Sequence, residues 1–397
     1  MNATIGTTGS IGLTADVFRE QWGRLLEALA GAGKFTQALP LVQTPYTQAQ
    51  SVRFMLRLLE GMVVTALEFD DPNYPKLVRM FDLACLHPNT TPDCVYFFSR
   101  ISAVHTYRIH GLAGSARILD VQVMDGHFPA GPNHRSLGTL SNLKGDAGGH
   151  IEILLSADRQ PGNWVKLDPS ASWIYVRQYY YDWEKEMPAD LVIERVGAIY
   201  PPAPVSAAEL RDRVDRIIGW IPSWYRHLAG RTIGFYDSPK DALAFFKSTA
   251  GMDDLHYGKG SFELAADEAM VMEFAPPESR YWGFQLMNDF WETLAFDVHQ
   301  SSLNGHQGRL DHDGVFRAVI SVSDPGVANW LDPVGNARGL ICARVLSPKS
   351  APEVRLRKVK LTDLRRHLPP ETDFISPSQR SESLRARMLA TARRYRE

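Results

Sequence analysis

The sequence predicts an α+β protein with two duplicated antiparallel β-sandwich or jelly-roll-like units, an N-terminal helical segment, an inter-unit helical segment and a C-terminal helix. Short β-rich stretches separated by Gly, Asn and Asp occupy two parts of the chain, a pattern typical of antiparallel sheets. An Asn-Trp signature also occurs twice, at Asn163-Trp164 and at Asn329-Trp330. The two copies lie much further apart than the repeats of a solenoid or propeller, so we expect two related domains in tandem.

The sequence around each Asn-Trp signature repeats as well. An Asp-Pro pair and an apolar stretch follow each signature and end at Arg177 in the first copy and at Arg344 in the second. We expect each Trp to fill its sandwich and each Asn to fix a loop. The two arginines are expected to be buried braces paired with carboxylates. A fainter similarity upstream matches residues 106–111 to 280–285 and residues 118–123 to 294–298.

The N-terminal segment, residues 1–93, is predicted to be mainly helical. Apolar residues recur at helical spacing over 14–30, where Thr14 is placed to cap the helix, and again over 47–67. Loops rich in Pro, Asn and Asp follow. The first β-unit is assigned to residues 94–200.

A Pro-rich break separates the first β-unit from a connector at residues 201–262. The connector is predicted to contain a helix over 206–228, because Ser206 and Glu209 form a capping-box pattern. A shorter helix is predicted over 240–247.

The second β-unit is assigned to residues 263–361, and residues 362–397 to a strap and a basic helix. This last helix is predicted over 376–397, with Ser376 as its cap and Pro377 at the first helical position. Its many arginines are expected to face solvent or a partner.

The composition is that of an ordinary globular protein, with 44% hydrophobic and 22% charged residues among 397. A net charge of −2 gives no reason to expect nucleic-acid binding. Cys85, Cys94 and Cys342 are an odd number without a spacing pattern, so we expect inert thiols. The amino terminus does not resemble a signal peptide, and no apolar stretch reaches the roughly 20 residues that span a bilayer. A cytoplasmic protein without membrane contact is therefore expected.

The densest aromatic run, residues 173–183, is the first candidate site. Strand alternation places Tyr175, Arg177, Tyr179 and Tyr181 on one face, and an arginine among tyrosines can hold an anionic or phenolic ligand. The alternative is that these side chains fill a core. The candidate residues are Arg177 and Tyr181 for catalysis, and Tyr175, Tyr179 and Trp183 for substrate binding.

A second candidate site lies in the polar segment that begins at His299. Histidine exchanges protons near neutral pH, and neighbouring amides can stabilise a developing oxyanion. We therefore assign His299 and His306 to acid–base catalysis. Substrate binding is assigned to Asn304, Trp282 and Arg344. The segment Asp311-His312-Asp313 offers metal ligands, although the Asp-Gly that ends it is typical of a hairpin turn.

Several motifs of the second unit resemble a single family. They are Tyr281-Trp282-Gly283, Ser302-Leu-Asn-Gly-His306, Asp313-Gly314, Asp324-Pro325-Gly326 and Asn329-Trp-Leu-Asp-Pro333. Together they resemble the bacterial domain of unknown function numbered twelve-fourteen, which is often paired with the domain numbered twelve-fifty-four. The resemblance implies β-sandwich units combined with helices, and no settled reaction. Asp332 departs from the Asn-Trp-Leu-Pro signature of many members, which indicates a divergent subgroup.

The sequence lacks the motifs of nucleophile elbows, phosphate-binding loops, dinucleotide-binding folds and zinc proteases. We therefore expect an enzyme without an organic cofactor that acts on a small aromatic or phenolic molecule by acid–base chemistry, as a lyase of aromatic catabolism. The alternatives are a metal-assisted hydrolase, a non-catalytic protein that binds small molecules, and a scaffold. The expected partner is a small aromatic molecule, and self-association into a homo-oligomer is left open.

Overall fold

The computed structural model contains two β-rich units, a group of helices packed beside them and a C-terminal helix. Cys85 and the segment before Thr14 lie outside the residues that the structure describes. The α+β class and the duplicated sandwich architecture predicted from the sequence are confirmed. The described residues are 14–83, 90–126, 135–141, 143–247, 252 and 254–396.

The first β-unit is a sandwich of a five-stranded and a four-stranded sheet. Its strands, β1 to β9, are Val78–Phe81, Cys94–Arg100, Tyr107–Leu112, Ile118–Asp125, Ser136–Leu140, His150–Ser156, Asn163–Lys166, Ala171–Tyr179 and Asp190–Arg195. The larger sheet has the order β1-β2-β8-β4-β5, and the smaller sheet has the order β7-β6-β3-β9. The strands pair antiparallel except for β6 and β7, which are parallel.

The second β-unit repeats this topology strand for strand. Its strands, β10 to β18, are Ala244–Lys247, Leu255–Glu263, Glu268–Phe274, Tyr281–Met287, Ser302–Asn304, Phe316–Ser321, Trp330–Leu331, Arg338–Leu346 and Val354–Lys360. The sheet orders are β10-β11-β17-β13-β14 and β16-β15-β12-β18. Each strand takes the place of the strand nine positions earlier, and β15 and β16 again form the parallel pair.

The strand registers of the two units also correspond. Tyr96 on β2 lies opposite Arg177 on β8, and Tyr257 on β11 lies opposite Arg344 on β17. These matched pairs give a residue-by-residue alignment of the two units that the sequence similarity alone does not provide.

This alignment corrects the predicted upstream match. Residues 118–125 form β4, whose counterpart is β13, and residues 107–112 form β3, whose counterpart is β12. The predicted match of 106–111 to 280–285 is therefore shifted by one strand, and residues 294–298 lie in the connection between β13 and β14. Several strands of each unit are similarly apolar, and only strand pairing distinguishes them.

Asn163 and Asn329 fix equivalent loops, as predicted. The Asn163 amide donates to the carbonyls of Lys144 (2.8 Å) and Glu152 (2.9 Å), and its Oδ1 accepts from the Lys144 N–H (2.9 Å). Asn329 makes the same three hydrogen bonds with the corresponding segments of the second unit, at 2.7, 2.8 and 2.9 Å.

Each sandwich has its own apolar core between its two sheets. Ile153 and Val176 belong to the core of the first unit, and Phe316 belongs to that of the second. Trp330 is buried, but it shares a face of its sheet with Val319, outside the sandwich core that Leu331 enters. Trp164 is half-buried, beneath the guanidinium of Arg159 at 4.7 Å. The prediction that each Trp fills its sandwich is therefore wrong for both copies.

Three helices pack beside the sheets: α1 at Ala15–Gln37, α2 at Pro45–Met62 and α3 at Ala207–Tyr236. A π-helix, Val63–Glu68, continues α2. The helices predicted in these regions are present, and Ser206 Oγ accepts from the Glu209 N–H as the capping pattern predicted. Within the described residues, no helix combines the length and the apolar character needed to cross a membrane.

The helix predicted over 240–247 is wrong. Residues Ala244–Lys247 form the edge strand β10, which pairs antiparallel with β11. Tertiary pairing decides the conformation of such a short segment, and its aromatic residues suit a strand. The strands of the second unit consequently begin before residue 263.

The C-terminal helix α4 spans Pro377–Arg394, after a 3₁₀ helix at Leu361–His367, and Ser376 caps it as predicted. The expectation that its arginines face solvent or a partner is wrong for one face of the helix. Arg380, Arg387 and Arg394 recur every seven residues and are buried against the rest of the chain. Arg380 pairs with Asp324 at 3.0 Å, so the helix is an integral part of the fold.

Candidate ligand site between the two β-units

The two five-stranded sheets face each other across a shared interior, which we call the seam. On β8, Tyr175, Arg177 and Tyr179 point into the seam, whereas Val176 points into the first sandwich core. The strand alternation predicted for this run is therefore confirmed. Contact across the seam is direct, because the Tyr179 and Tyr281 rings of the two units have centroids 5.2 Å apart.

Each unit contributes to the seam one arginine beside a tyrosine ring, which belongs to the neighbouring strand for Arg344 and to the same strand for Arg177. The guanidinium of Arg344 lies 5.1 Å from the ring centroid of Tyr257, its strand neighbour. Arg177 lies 5.6 Å from the ring of Tyr175. Arginine above an aromatic face is a favourable arrangement when water is excluded.

Arg177 is a buried brace, as predicted. Its Nε and Nη2 donate to the two carboxylate oxygens of Asp120 on β4, at 3.0 and 2.7 Å. Burial acts to lower the pKa of Arg177, but the Asp120 carboxylate outweighs burial and raises it. The pair is thus an ionised, geometrically matched bridge inside the first unit.

Arg344 has a different environment. The position that corresponds to Asp120 is Gly283, opposite Arg344 on β13. Arg344 Nη1 donates to the neutral side-chain oxygen of Gln285 at 2.6 Å. The Gln285 amide is oriented by its donation to the Thr90 carbonyl at 2.8 Å. The duplication predicted a carboxylate partner for Arg344 as well. At the position equivalent to Asp120, however, the second unit has a glycine, Gly283.

Three seam tyrosines are only partly buried. Tyr96, Tyr175 and Tyr257 pack against one apolar cluster that includes both five-stranded sheets and the helices. All three are nevertheless half-buried rather than fully buried, so parts of their surfaces border open space. Burial raises the pKa of the Tyr96 and Tyr175 hydroxyls, which are therefore neutral hydrogen-bond donors near pH 7.

The charge of Arg344 reaches across the seam. Burial is the main cause of the raised pKa of Tyr96 in the first unit. The Arg344 guanidinium of the second unit acts in the opposite direction and lowers this pKa. The helices close the adjacent side with buried indoles, including Trp220 and Trp224. The seam thus combines aromatic walls with a buried cation.

Asp93 joins the two units at one end of the seam. Its carboxylate accepts from Tyr281 Oη (2.6 Å), Asn304 Nδ2 (2.6 Å) and Trp183 Nε1 (2.8 Å). Burial raises the pKa of Asp93, and these three donors only partly offset the rise. Asn304 and Trp183, both predicted to bind substrate, are held in this cluster. The sequence reasoning missed Asp93, whose only signal is its place in a Pro- and Asn-rich loop.

Tyr181 and Trp282 also form a contact between the units. The Tyr181 hydroxyl accepts from the Trp282 backbone N–H at 3.0 Å, and the guanidinium of Arg117 covers the Tyr181 ring at 4.3 Å. The Trp282 indole packs in the second sandwich core beside Phe316, with ring centroids 5.0 Å apart. These two predicted site residues are brought together, next to Asn304.

The two predicted catalytic histidines belong to separate surface pairs. His306 Nε2 lies 3.5 Å from Asp182 of the first unit, and His299 Nδ1 lies 2.6 Å from Asp332 Oδ2. Both imidazoles are substantially exposed, His299 by 39%. Asp332, the residue that departs from the family signature, is thus the partner of His299.

The segment proposed as a metal site is occupied by an arginine. Arg317 Nη1 and Nη2 pair with Asp311 at 2.9 Å and Asp313 at 2.7 Å. Gly314 ends a tight turn with φ +77°, which confirms the hairpin prediction. In the ranges that the structure describes, no three His, Cys, Asp or Glu residues are grouped as metal ligands. Cys94 and Cys342 are buried, and neither forms a disulfide with another described residue.

Comparison with known proteins gives a similar fold and a family match to part of the chain, but no activity. A structure titled as a putative uncharacterized protein from Burkholderia cenocepacia is similar at 27% identity and a TM-score of 0.82, over 87% of this chain and 99% of that one. The VPA0106 protein from Vibrio parahaemolyticus matches at 11% identity and a TM-score of 0.46, over 77% of this chain and 98% of that one.

No protein with a curated description matches the chain. The model of the family described as "Protein of unknown function (DUF1214)" matches residues 257–350, which confirms the resemblance inferred from the motifs of the second unit. The matched residues run from β11 to the segment that follows β17, within the second β-unit.

Proposed function

We propose that this protein binds a small aromatic molecule with an acidic or phenolic oxygen in the seam between its two β-units. One observation carries the proposal: Tyr96, Tyr175 and Tyr257 pack against the interior cluster and yet are only partly buried. Binding sites for small molecules occur preferentially between domains and combine apolar walls with few polar groups.

The chemistry of these walls suits an aromatic ligand. Ligand rings can pack edge-to-face on the tyrosines, as Trp173 does on Tyr175 at a centroid distance of 4.6 Å. Neutral phenols donate hydrogen bonds to an oxygen of the ligand. The buried charge of Arg344 favours a ligand oxygen that carries negative charge, because electrostatic attraction is strong where water is excluded.

The test is calorimetric titration of the whole protein with 4-hydroxybenzoate, with benzyl alcohol as the uncharged comparison. We expect saturable binding of the benzoate and a raised melting temperature. Tyr257→Phe should weaken binding about tenfold, because a hydroxyl donor to a charged oxygen is lost. Tyr46→Phe is the matched control, since Tyr46 is exposed on α2. Absence of binding, or equal weakening in both variants, would refute the proposal.

A second candidate function is the lyase activity expected from the sequence, an elimination by acid–base chemistry. The His299–Asp332 pair favours it. A carboxylate 2.6 Å from Nδ1 orients an imidazole and leaves its Nε2 to take a proton, as in other acid–base sites. Turnover of an aromatic substrate should then fall by at least about 100-fold in His299→Ala. His306→Ala serves as the comparison. Unchanged turnover in both variants, with folding retained, would exclude the predicted histidine chemistry.

A further inference from the structure

A cavity lies on the opposite face of β8 from the seam. It has a volume of about 510 Å³ and opens at one edge of the first sandwich, where Phe97 of β2, Val176 of β8 and Leu191 of β9 line it. This volume is within the usual range of about 300–1,000 Å³ for small-molecule sites. Val176 and Arg177 are strand neighbours, so the cavity and the seam are separated by the thickness of one sheet.

The corresponding place in the second unit is filled. The register of the edge strands makes Phe245 of β10 the counterpart of Arg79 of β1, because Phe245 lies opposite Gly258 and Arg79 lies opposite Phe97. A Cβ added at Gly258 would lie 2.7 Å from the Phe245 ring. Leu243 packs in the same way over Gly260. Two apolar side chains over two glycines therefore close the second sandwich.

The cavity is consequently a specific property of the first unit and not a requirement of the fold. An arginine replaces the phenylalanine that fills the second copy. Arg79 is turned toward the end of the chain, where Nη1 and Nη2 donate to the carbonyls of Tyr395 (3.0 Å) and Arg396 (3.1 Å). Its Nε is buried and has no hydrogen-bond acceptor among the described residues. A buried donor without an acceptor is costly, and the positively charged guanidinium lies on the cavity wall.

We infer that this cavity binds a small monocarboxylate with an apolar body, such as a medium-chain fatty acid. The apolar floor accommodates the hydrocarbon, and Arg79 and Arg396 on the cavity wall attract the carboxylate. Asp82 and Asp190 on the same wall oppose any anion, so a ligand with a second negative charge is disfavoured further. This inference is independent of the aromatic ligand proposed for the seam.

The test is calorimetric titration of the whole protein with decanoate, decanol and decylamine below their micellar concentrations. We expect one decanoate to bind per chain, decanol to bind more weakly and decylamine to bind least. Arg79→Met should weaken decanoate binding about tenfold while leaving decanol binding nearly unchanged, because only the charged headgroup loses its partner.

A variant that fills the cavity is compared with a control variant on the same strand, to test whether decanoate binds in this cavity. Leu191→Trp adds bulk inside it and should weaken decanoate binding by at least about tenfold. Val192→Trp is the matched control, since Val192 is the next residue of β9 and is 53% exposed. Val64→Trp, from the π-helix wall, replaces Leu191→Trp if that variant does not fold. Wild-type protein that binds no decanoate, or equal binding by the filled and control variants, would overturn the inference.

A seam variant separates the two proposals. Tyr257→Phe should leave decanoate binding unchanged, because Tyr257 lies in the seam and not in this cavity. If Tyr257→Phe weakens decanoate binding while Leu191→Trp does not, the carboxylate occupies the seam and the second site does not exist.

Discussion

Arg177 and Arg344 occupy the same position in the two β-units, each opposite a tyrosine of the neighbouring strand. On the other neighbouring strand, Arg177 meets Asp120 and Arg344 meets Gly283. The duplicated arginines therefore enter one seam with different surroundings. The first unit uses its arginine as an internal brace, and the second unit places its arginine among the seam tyrosines. The two copies have thus diverged where they face each other.

The Arg177–Asp120 bridge should contribute to stability only as a complete pair. Asp120→Asn leaves a buried guanidinium without its carboxylate and should lower the free energy of unfolding by about 3–5 kcal/mol. The double variant Arg177→Met with Asp120→Leu should recover most of this loss, because no buried charge remains. Urea unfolding measures both. A double variant no more stable than Asp120→Asn would contradict this account.

The two loop-fixing asparagines should act independently. Asn163→Ala and Asn329→Ala each remove three hydrogen bonds to backbone groups, and each should cost about 2–4 kcal/mol in unfolding free energy. Because the residues lie in different units, the losses should add to within about 0.5 kcal/mol, provided that the two units unfold as one cooperative transition. If the double variant lost clearly less unfolding free energy than the sum of the two single variants, the loops would be coupled.

The edge of the second sandwich, where Phe245 packs over Gly258, should not tolerate a larger side chain at the glycine. Gly258→Ala places a Cβ against the Phe245 ring and should destabilise the protein by about 1–3 kcal/mol. Gly219→Ala in α3, where no atom outside the local helix backbone lies within 4 Å of the added Cβ, should instead stabilise it by about 0.5–1 kcal/mol. Thermal unfolding of the two variants measures both effects. If both variants were stabilised, or both destabilised, the packing described here would be contradicted.

Asp93 should make stability depend on pH in the acidic range. Its folded-state pKa is raised from 3.8, chiefly by burial, so the folded state holds this proton more tightly than the unfolded state does. The associated stabilisation is complete below pH 3.8 and is lost as the pH rises through the folded pKa.

The measurement compares wild type with Asp93→Asn by urea unfolding between pH 4 and 7. The stability advantage of wild type over the variant should shrink as the pH rises, because only wild type has the titrating group. An advantage that grows with pH would show that Tyr281, Asn304 and Trp183 stabilise the carboxylate more than burial opposes it.

Much of the candidate site follows from strand alternation in residues 173–183. That pattern identified Tyr175, Arg177 and Tyr179 as one face of a strand, and the structure places this face in the seam. Tyr96 and Tyr257 were missed, because a single tyrosine in an ordinary β-stretch carries no signal of what lies opposite it. Asp120 was missed for the same reason, since its pairing with Arg177 joins residues 57 positions apart.

The sequence by itself determined most of the local elements and the existence of the duplication, although not the short strand β10. Capping residues, alternation and the repeated Asn-Trp signature depend on short-range chemistry, so they can be read without knowledge of the fold. Tertiary structure alone decided which strands of the two units correspond and how the units meet. It also decided that the edge of the second sandwich is packed while the first unit has a cavity there. Those outcomes depend on contacts between distant residues, such as Asp93 with Tyr281 and Phe245 with Gly258. Packing, and not propensity, selects such contacts.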